Sequence, residues 1–242
     1  MNKQDFINNI NPLFLKGVAH RGLHNKEDIP ENSLAAFKNA IEHNVAFEFD
    51  VHLSLDGHLV VFHDDDLKRM TGQDGVIEEL TLDELEEYRL PNGENLPLLE
   101  DVLKLNNERV PIVLELKVLE KNFVPLQNAV KKVLDKYVKD KQNYMIISFD
   151  PRSLKIFKGE YMRSLLITES HKWTFMLRKS VESLDVDKKL FKYKKYKKYG
   201  MNHFMNVWTI EKEEDVKSLL PYIDTMTFQH MEVEKVQELL QK

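Results

Sequence analysis

Apolar and polar positions along the chain change their period repeatedly, from short β-type runs to helical spacing. Eight short apolar runs predict strands, at Gly17–His20, Ala46–Val51, Ile112–Lys117, Tyr144–Phe149, Arg163–Thr168, Ser183–Asp187, His203–Trp208 and Asp224–Phe228. Helical patterns lie between them, at Asn32–Glu42, Phe123–Val138, Pro151–Phe157, Lys188–Tyr199, Glu211–Leu219 and Glu232–Leu240. Strands that alternate with helices predict an α/β fold with a parallel sheet. Eight such repeats predict a closed barrel, which keeps its chemistry at the C-terminal ends of its strands.

One long stretch, residues 52–109, does not follow this alternation. Its local signals are a turn at Asp56-Gly57 that predicts a hairpin, a capped helix start at Thr81 and a short helix at Leu98–Leu105. We expect this stretch to be an insertion after the second strand that packs over the mouth of the barrel.

Composition narrows the kinds of site that the barrel can carry. A length of 242 residues suits one α/β barrel of about 250 residues, and the absence of cysteine excludes disulfides, thiolate metal sites and a cysteine nucleophile. A net charge of −5 argues against a nucleic-acid partner. Residues 1–16 lack the pattern of a signal peptide, and no apolar run approaches the ~20 residues that span a bilayer. These features favour a cytoplasmic protein without stable membrane insertion.

Acidic side chains lie at alternate positions of two predicted strands. Glu48 and Asp50 point to one face of the second strand, and Glu115 and Lys117 repeat the spacing on the strand that follows the insertion. Three carboxylates inside a barrel are costly unless they bind a cation or share protons, and oxygen ligands suit Mg²⁺ or Ca²⁺. The alternative interpretation is a barrel interior held together by a Glu–Lys ion pair.

Two histidines follow predicted strands. His20 ends the first strand in a His20-Arg21-Gly22 triplet, and a histidine there is suited to acid or base work. The planar guanidinium of Arg21 suits a phosphate, and Gly22 allows a tight turn. His63 ends the run 59–62 and can supply a second proton-transfer group. Each motif alone is also compatible with a surface loop.

Two aromatic features have both a functional and a structural interpretation. Trp208, at the end of the seventh strand, can pack against a substrate or against the barrel rim. Residues 188–199 carry seven lysines beside an apolar stripe at Leu190, Tyr193, Tyr196 and Tyr199. That tract is compatible with contact to an anionic membrane or RNA, but we favour a solvated helix whose stripe covers the sheet.

In combination these motifs resemble the glycerophosphodiester phosphodiesterase family, of the bacterial cytoplasmic type. The matching segments are Ala19-His20-Arg21-Gly22, Pro30-Glu31-Asn32-Ser33, Glu48-Phe49-Asp50-Val51, Leu53-Ser54-Leu55-Asp56-Gly57, Val60-Val61-Phe62-His63-Asp64 and Glu115-Leu116-Lys117. Weaker matches continue to Val207-Trp208-Thr209, so that the resemblance spans most of the chain and is strongest up to Lys117.

The resemblance implies a fold and a reaction. The fold is one TIM (β/α)8-barrel domain over residues 1–242, with a small subdomain inserted after strand 2 at about 51–110. The reaction is the metal-dependent hydrolysis of glycerophosphodiesters, such as glycerophosphocholine or glycerophosphoethanolamine, to sn-glycerol 3-phosphate and an alcohol.

The resemblance also assigns roles to individual residues. It implies that Glu48, Asp50 and Glu115 bind a divalent cation and that His20 and His63 form the acid/base pair. Arg21 and Lys117 would then bind the phosphate of a small-molecule substrate. The sequence does not decide which histidine is the base, or whether water or a hydroxyl of the substrate attacks.

The last strand departs from the family pattern. Members of the family usually have two acidic residues and a proline in this segment, but residues 222–230 contain only one acidic residue, Asp224, and no proline. Substrate identity is therefore open. Alternatives are a lysophospholipase D-like or teichoic-acid-type phosphodiesterase, for which an apolar mouth would be the mark, and a catalytically silent barrel that only binds phosphate compounds. A metal-independent phosphodiesterase is disfavoured by the three carboxylates.

Overall fold

Eight parallel strands close into a barrel in the computed structural model, which describes residues 2–25, 27–119 and 122–241. The barrel strands are β1 (Val18–Ala19), β2 (Ala46–Leu53), β4 (Ile112–Leu116), β5 (Tyr144–Ser148), β6 (Met162–Ile167), β7 (Ser183–Asp187), β8 (Met205–Ile210) and β9 (Thr225–Phe228). They pair in sequence order, and β1 closes the ring by pairing with both β2 and β9. The predicted TIM-barrel fold is confirmed.

The first α-helix precedes the first strand, the last one follows the last strand, and the others lie in the segments that connect the strands. The α-helices are α1 (Lys3–Ile7), α2 (Leu34–Glu42), α3 (Lys68–Thr71), α4 (Leu82–Leu85), α5 (Leu99–Asn106), α6 (Phe123–Tyr137), α7 (Lys194–Gly200), α8 (Glu213–Lys217) and α9 (Val233–Leu240). Short 3₁₀ segments lie at Pro12–Lys16, Ile77–Glu79, Lys141–Asn143, Lys155–Phe157, Lys172–Ser180, Lys188–Lys192 and Leu220–Tyr222. The predicted α2, α6 and α9 agree with the structure to within two residues at each end.

Some predicted elements were wrong in part. The predicted helix Pro151–Phe157 is a turn followed by one 3₁₀ turn, because the Asp150 side chain accepts from the Arg152 N–H and Ser153 Oγ donates to the Asp150 carbonyl. Such local bonds compete with helix formation. The helix after the seventh barrel strand, α8, is shorter than predicted, and β8 begins two residues later than predicted, at Met205.

The lysine-rich tract 188–199 is also divided. It forms the 3₁₀ segment Lys188–Lys192 and then α7, with extended backbone at Tyr193 between them. A stripe that repeats every third residue matches the three residues per turn of a 3₁₀ helix, and it cannot stay on one face of a long α-helix. Leu190 and Tyr196 are fully buried in the main core, so the interpretation that this stripe covers the sheet is confirmed.

The N-terminal segment closes one end of the barrel. Phe6, Ile10 and Phe14 pack into the barrel interior with side chains of the strands, and the Phe6 ring stacks on Phe204 at 4.2 Å between centroids. The Thr225 hydroxyl, at the start of β9, donates to the Phe14 carbonyl at 2.5 Å. The segment therefore plugs the N-terminal ends of the strands, opposite the end that the site occupies.

The chain between β2 and β4 contains the predicted hairpin and capped helix. Strand β3 (Leu59–Val61) pairs antiparallel with β2, and Thr81 and Glu84 form a reciprocal capping box at α4. A hydrophobic cluster separate from the main core holds this part together; it comprises Val60, Phe62, Leu67, Ile77, Leu85, Leu90 and Leu96. An independent subdomain with bounds at about 51–110 stays a prediction.

Among the described residues, none of the helices combines the length and the apolar character that a membrane span requires.

Candidate active site

Three carboxylates converge inside the C-terminal end of the barrel. Glu48 and Asp50 alternate along β2 with Phe47 and Phe49, whose rings belong to the outer core, so both carboxylates point inward. Asp50 pairs in register with Glu115 of β4. The three side chains are buried, and one oxygen from each lies within 4.8 Å of the others. This group can hold a metal ion.

The electrostatics of this acidic cluster show why it needs positive charge. Burial raises the pKa of Glu48 well above its usual value, and the neighbouring Asp50 and Glu115 raise it further. Burial also raises the pKa of Glu115, to about 7. Burial would raise the pKa of Asp50 too, but Lys117, His63 and Arg21 outweigh it and hold that pKa far below the usual range. Without a cation, the three groups favour partial protonation.

Lys117 supplies one positive charge to the cluster. Its Nζ lies 3.2 Å from Asp50 Oδ1 and 3.1 Å from Glu115 Oε1. The ion pair that formed the alternative interpretation is therefore present. Apart from this ion pair, the buried Asp50 Oδ1 has no hydrogen-bond partner, so it can also accept a metal ion.

A strained turn after β1 carries His20 and Arg21 to the cluster. Arg21 has φ +54° and Gly22 has φ +81°. A Cβ on Gly22 would lie 2.8 Å from the Cβ of Ala36, so that only glycine fits this close approach to α2. The turn directs the Arg21 N–H to Glu48 Oε2 at 3.0 Å. This hydrogen bond therefore links the turn directly to Glu48 of the acidic cluster.

Gln229 orients the imidazole of His20. Gln229 Nε2 donates to Glu211 at 2.6 Å, and a carboxylate can only accept, so the amide oxygen of Gln229 faces His20 Nδ1 at 2.6 Å. His20 Nδ1 consequently carries the proton, and Nε2, 4.0 Å from Glu48 Oε2, faces the acidic cluster with its lone pair. Burial, followed by the charge of Arg21, lowers the pKa of His20 to about 3.

His63 is held by a chain of charged groups. Its Nδ1 lies 2.7 Å from Asp64 Oδ1, and the other oxygen of Asp64 accepts from Arg69 Nε. Arg69 in turn pairs with Glu31, which also accepts from Arg21 Nη1 at 2.7 Å. The Asp64 carboxylate makes Nδ1 the protonated nitrogen, so Nε2 of His63 is also free. This series of charged side chains links the hairpin side of the site to the turn after β1.

Two cavities lie at this end of the barrel. The smaller one, about 400 Å³, is lined by His20, Arg21 and Trp208 among other polar residues. The larger one, about 710 Å³, has Glu115 and Lys117 at its base and Phe149 in its wall. The Trp208 ring also contacts Phe149 edge-on at 6.0 Å, so it lines a cavity and packs at the rim at once.

The structure brings all eight predicted residues to one end of the barrel. Sequence reasoning missed the residues that position them, which are Glu31, Asn32, Asp64, Gln229 and Glu211. Asn32, which has φ +54°, donates from Nδ2 to Asp50 Oδ2 at 3.0 Å, a role that the sequence did not indicate. The next residue caps α2, since Ser33 Oγ accepts from the Ala36 N–H. His52, which received no site role, is fully buried and bonded to Glu78.

A closed parallel barrel that gathers carboxylates, basic groups and two imidazoles at the C-terminal ends of its strands defines a TIM-barrel enzyme. Residues 20–225 match the sequence model of the Glycerophosphoryl diester phosphodiesterase family. The chain belongs to this family, so the family and the enzyme class predicted from the sequence, a phosphoric diester hydrolase, are confirmed.

Known relatives cover nearly the whole chain. A glycerophosphodiester phosphodiesterase of Caldanaerobacter subterraneus is 29% identical over 84% of this chain and 88% of its own length. The structure is similar to a glycerophosphodiester phosphodiesterase of Parabacteroides distasonis, with a TM-score of 0.78, 27% identity and coverage of 92% of this chain and 95% of that one. An Oleispira antarctica phosphodiesterase, described in complex with the product sn-glycerol 3-phosphate, has the same TM-score at 25% identity, with 93% and 96% covered.

Proposed function

We propose that this protein hydrolyses glycerophosphodiesters to sn-glycerol 3-phosphate and an alcohol, with a divalent cation and two histidines. The observation that carries the proposal is the arrangement of three buried carboxylates beside two imidazoles that each keep Nε2 free. Family membership and the product complex of the Oleispira relative support the same reaction.

Glu48, Asp50 and Glu115 fit a divalent cation. All three offer oxygen, and the pKa values of Glu48 and Glu115 are raised first by burial and further by neighbouring carboxylates, so a bound cation would favour their ionised forms. Mg²⁺ and Ca²⁺ are the metals that such ligands prefer. When bound, the cation supplies Lewis acidity toward a non-bridging phosphate oxygen.

Arg21 and Lys117 are proposed to bind the phosphate. They lie on opposite sides of Asp50, with Arg21 Nε 3.7 Å from Oδ2 and Lys117 Nζ 3.2 Å from Oδ1. Arg21 Nε is buried without a hydrogen-bond partner, so it can donate to a substrate oxygen. These two positively charged side chains would stabilise the negative charge that develops on the phosphate oxygens in the transition state.

The two histidines have different partners, which suggests how the roles divide. His20 is bonded to the neutral Gln229, and its surroundings favour the uncharged imidazole, so we assign it as the general base that takes a proton at Nε2 from the attacking hydroxyl. Burial lowers the pKa of His63 as well, but the Asp64 carboxylate bonded to its Nδ1 opposes this shift, so it stabilises an imidazolium in a way that the neutral Gln229 beside His20 does not. We assign His63 as the general acid that protonates the leaving oxygen.

A second candidate substrate class is favoured by the wall of the larger cavity. Trp173 and Leu177 lie at its rim with Phe149, so it offers an apolar path away from Lys117. This is the mark expected of an enzyme that accepts a phosphodiester with one hydrocarbon chain, such as lysophosphatidylcholine.

The cytoplasmic location and the absence of a nucleic-acid partner stay predictions.

Release of glycerol 3-phosphate from glycerophosphocholine, measured with and without EDTA, tests the proposal. We expect activity to depend on the metal and to fall by at least ~10²-fold in His20→Ala, the usual effect of losing a general acid or base. His58→Ala is the matched control, since His58 lies half-exposed on the hairpin turn. Full activity of His20→Ala, or of protein shown by metal analysis to be metal-free, would contradict the proposal.

The assignment of acid and base has its own test. A diester with a p-nitrophenol leaving group needs little protonation as the bond breaks. We therefore expect this substrate to restore much of the activity of His63→Ala while leaving His20→Ala inactive. Equal rescue of both variants, or rescue of His20→Ala alone, would show that the roles are not divided in this way. Lysophosphatidylcholine in the same assay tests the second substrate class.

A further inference from the structure

The 3₁₀ segment Lys172–Ser180, which follows β6 at the mouth of the barrel, exposes an unusual group of apolar side chains. Trp173, Met176 and Leu177 are 61%, 79% and 36% exposed. They are three of the six large hydrophobic side chains that are exposed in the described part of the chain, and they fall within five consecutive residues. Packing in the hydrophobic core does not explain why these apolar residues occur together, because their side chains face solvent.

The geometry of the segment holds these side chains outward. Residues three apart eclipse one another in a 3₁₀ helix, so Trp173, Met176 and Lys179 form one exposed row. On the inner side, the Phe175 ring packs edge-on against Tyr196 at 4.8 Å and against Tyr199 at 5.7 Å. The stripe of α7 thus anchors the segment, and the exposed row is a fixed feature of the surface.

Basic side chains surround the row. Lys172 precedes it, Lys179 lies within it, and Arg178 and Lys195 flank the Phe175 ring at 4.6 and 4.9 Å. Arg178, Lys179, Lys195 and Lys198 line one groove of about 710 Å³. This local positive charge occurs in a chain whose net charge is −5.

Two acidic side chains that flank this segment are already paired. Glu182, in the same groove, is bound through both oxygens by Arg163. Glu169, on the other side of the segment, pairs with Lys192 and Lys172. Arg178, Lys179, Lys195 and Lys198 are therefore the groups that face an approaching anion.

We propose that Lys172–Ser180, together with the lysines of α7, is a docking surface for an anionic phospholipid bilayer. Tryptophan with adjacent aliphatic side chains suits the interface between headgroups and acyl chains, and neighbouring lysines and arginines attract anionic headgroups. A protein partner is disfavoured, because one nine-residue segment offers far less than the about 800 Å² per side of a stable interface.

This docking surface shares two residues with the larger cavity of the site. Trp173 and Leu177 also form the rim of the larger cavity, whose base is Glu115 and Lys117. Docking would therefore hold the mouth of the barrel at the lipid surface. The proposal does not depend on the reaction, since binding to vesicles is measured without substrate.

Vesicle sedimentation tests the docking surface with the full-length protein. We expect binding to vesicles of phosphatidylcholine mixed with phosphatidylglycerol, and none to phosphatidylcholine alone. Lys179→Glu should lower the partition coefficient by about tenfold or more, since each basic residue near an anionic surface contributes severalfold to binding. Met176→Ser should also weaken binding while leaving hydrolysis of soluble substrate unchanged, because Met176 is 79% exposed and does not line the cavity.

Matched variants control for exposure and charge. Leu55→Ser removes an apolar side chain that is 63% exposed on the turn between β2 and β3, away from the basic groove. Lys38→Glu reverses an exposed charge on α2. Both should bind like the wild type. Failure of the wild type to bind either kind of vesicle, or equal losses in the control variants, would overturn the proposal. So would a wild-type dimer in solution that Met176→Ser disperses, because the surface would then be a protein interface.

Tryptophan fluorescence gives a second readout. The chain has two tryptophans, so Trp208→Phe leaves Trp173 as the single reporter. We expect its emission to shift to shorter wavelength when anionic vesicles are added, as the indole leaves water. An unchanged spectrum in the presence of bound vesicles would show that another surface makes the contact.

Discussion

Asp185 is a buried carboxyl inside the barrel whose role differs from that of the acidic cluster. It lies on β7, and its Oδ1 accepts from Asn206 Nδ2, which also lies 2.8 Å from Thr227 Oγ1. Burial raises the pKa of Asp185 to about 7, and the charge of Glu115 adds to the increase. In the folded protein this group therefore prefers to be neutral over a pH range in which the unfolded chain ionises it.

This preference predicts a pH-dependent stability. The raised pKa means that the folded state retains a proton that the unfolded state loses, so the contribution of Asp185 is fully present below about pH 4 and is lost as pH rises to about 7. Asp185→Asn keeps the acceptor for Asn206 and removes the titration. We expect the free energy of unfolding of the variant, relative to the wild type, to increase between about pH 4 and 7, by at most about 4 kcal/mol.

Urea unfolding at several pH values in EDTA measures this difference. Asp74→Asn, at an exposed carboxylate, is the control and should show a flat difference. A flat difference for Asp185→Asn as well would mean that the carboxyl is ionised in the folded protein.

At the scale of single residues, the sequence predicted the functional side chains better than the residues that position them. Alternation along β2 is enough to place Glu48 and Asp50 on one face, because the period of a strand is two. Gln229 could not be found in this way, since it contacts His20 from 209 residues away. No local pattern carries such a pairing, and only the closure of the barrel creates it.

At the scale of elements, the N-terminal plug is the part that pattern alone did not predict. Helix α1 is five residues long, and its apolar residues are scattered in the sequence. Their partners are side chains from many strands, so the segment gains its structure from the barrel that it closes. By contrast, α6 and α9 carry their own amphipathic stripe and were predicted correctly.

The plug predicts a separation of stability from activity. Phe6→Ala should cost about 3–5 kcal/mol of unfolding free energy, because the ring is fully buried against Phe204. The activity of the remaining folded protein should be close to that of the wild type, since the ring lies at the opposite end from the site. Val124→Ala, at a side chain that is 45% exposed, should change stability little.

Denaturant titration together with kcat on soluble substrate measures both effects. A loss below about 1 kcal/mol would show that the plug is not part of the cooperative fold. A fall in kcat at full folding would show that the plug affects the site through the barrel.

At the scale of the whole molecule, the proposed binding of a metal at the acidic cluster would be coupled to folding. Three carboxylates crowd into one buried place, and a cation that binds only the folded state stabilises it by mass action. At a metal concentration about 100 times the Kd, the gain is about 2.7 kcal/mol. For a chain of this length that corresponds to a rise in Tm of roughly 5–10 °C.

Thermal unfolding with Mg²⁺, Ca²⁺ and EDTA checks this expectation. Asp50→Asn should lose most of the rise, whereas Glu87→Gln, at an exposed position outside the cluster, should keep it. No rise with any divalent cation in the wild type would contradict the metal assignment of Glu48, Asp50 and Glu115.

The fold as a whole was predictable because each strand–helix repeat carries its own local pattern. The chain between β2 and β4 was recognisable mainly as an interruption, although its turn and capping box follow local rules. Its separate hydrophobic cluster could not be foreseen, because residues such as Leu67 and Leu96 are brought together across nearly thirty positions of irregular chain.

The plug at the N-terminal ends of the strands also has a consequence for substrate entry and product release. Phe6, Ile10 and Phe14 fill that end, and the two cavities of the site lie at the opposite end of the described barrel. Under the proposed function, the diester that enters and the two products that leave would use the same end of the barrel. Product that accumulates would therefore compete with incoming diester for the site.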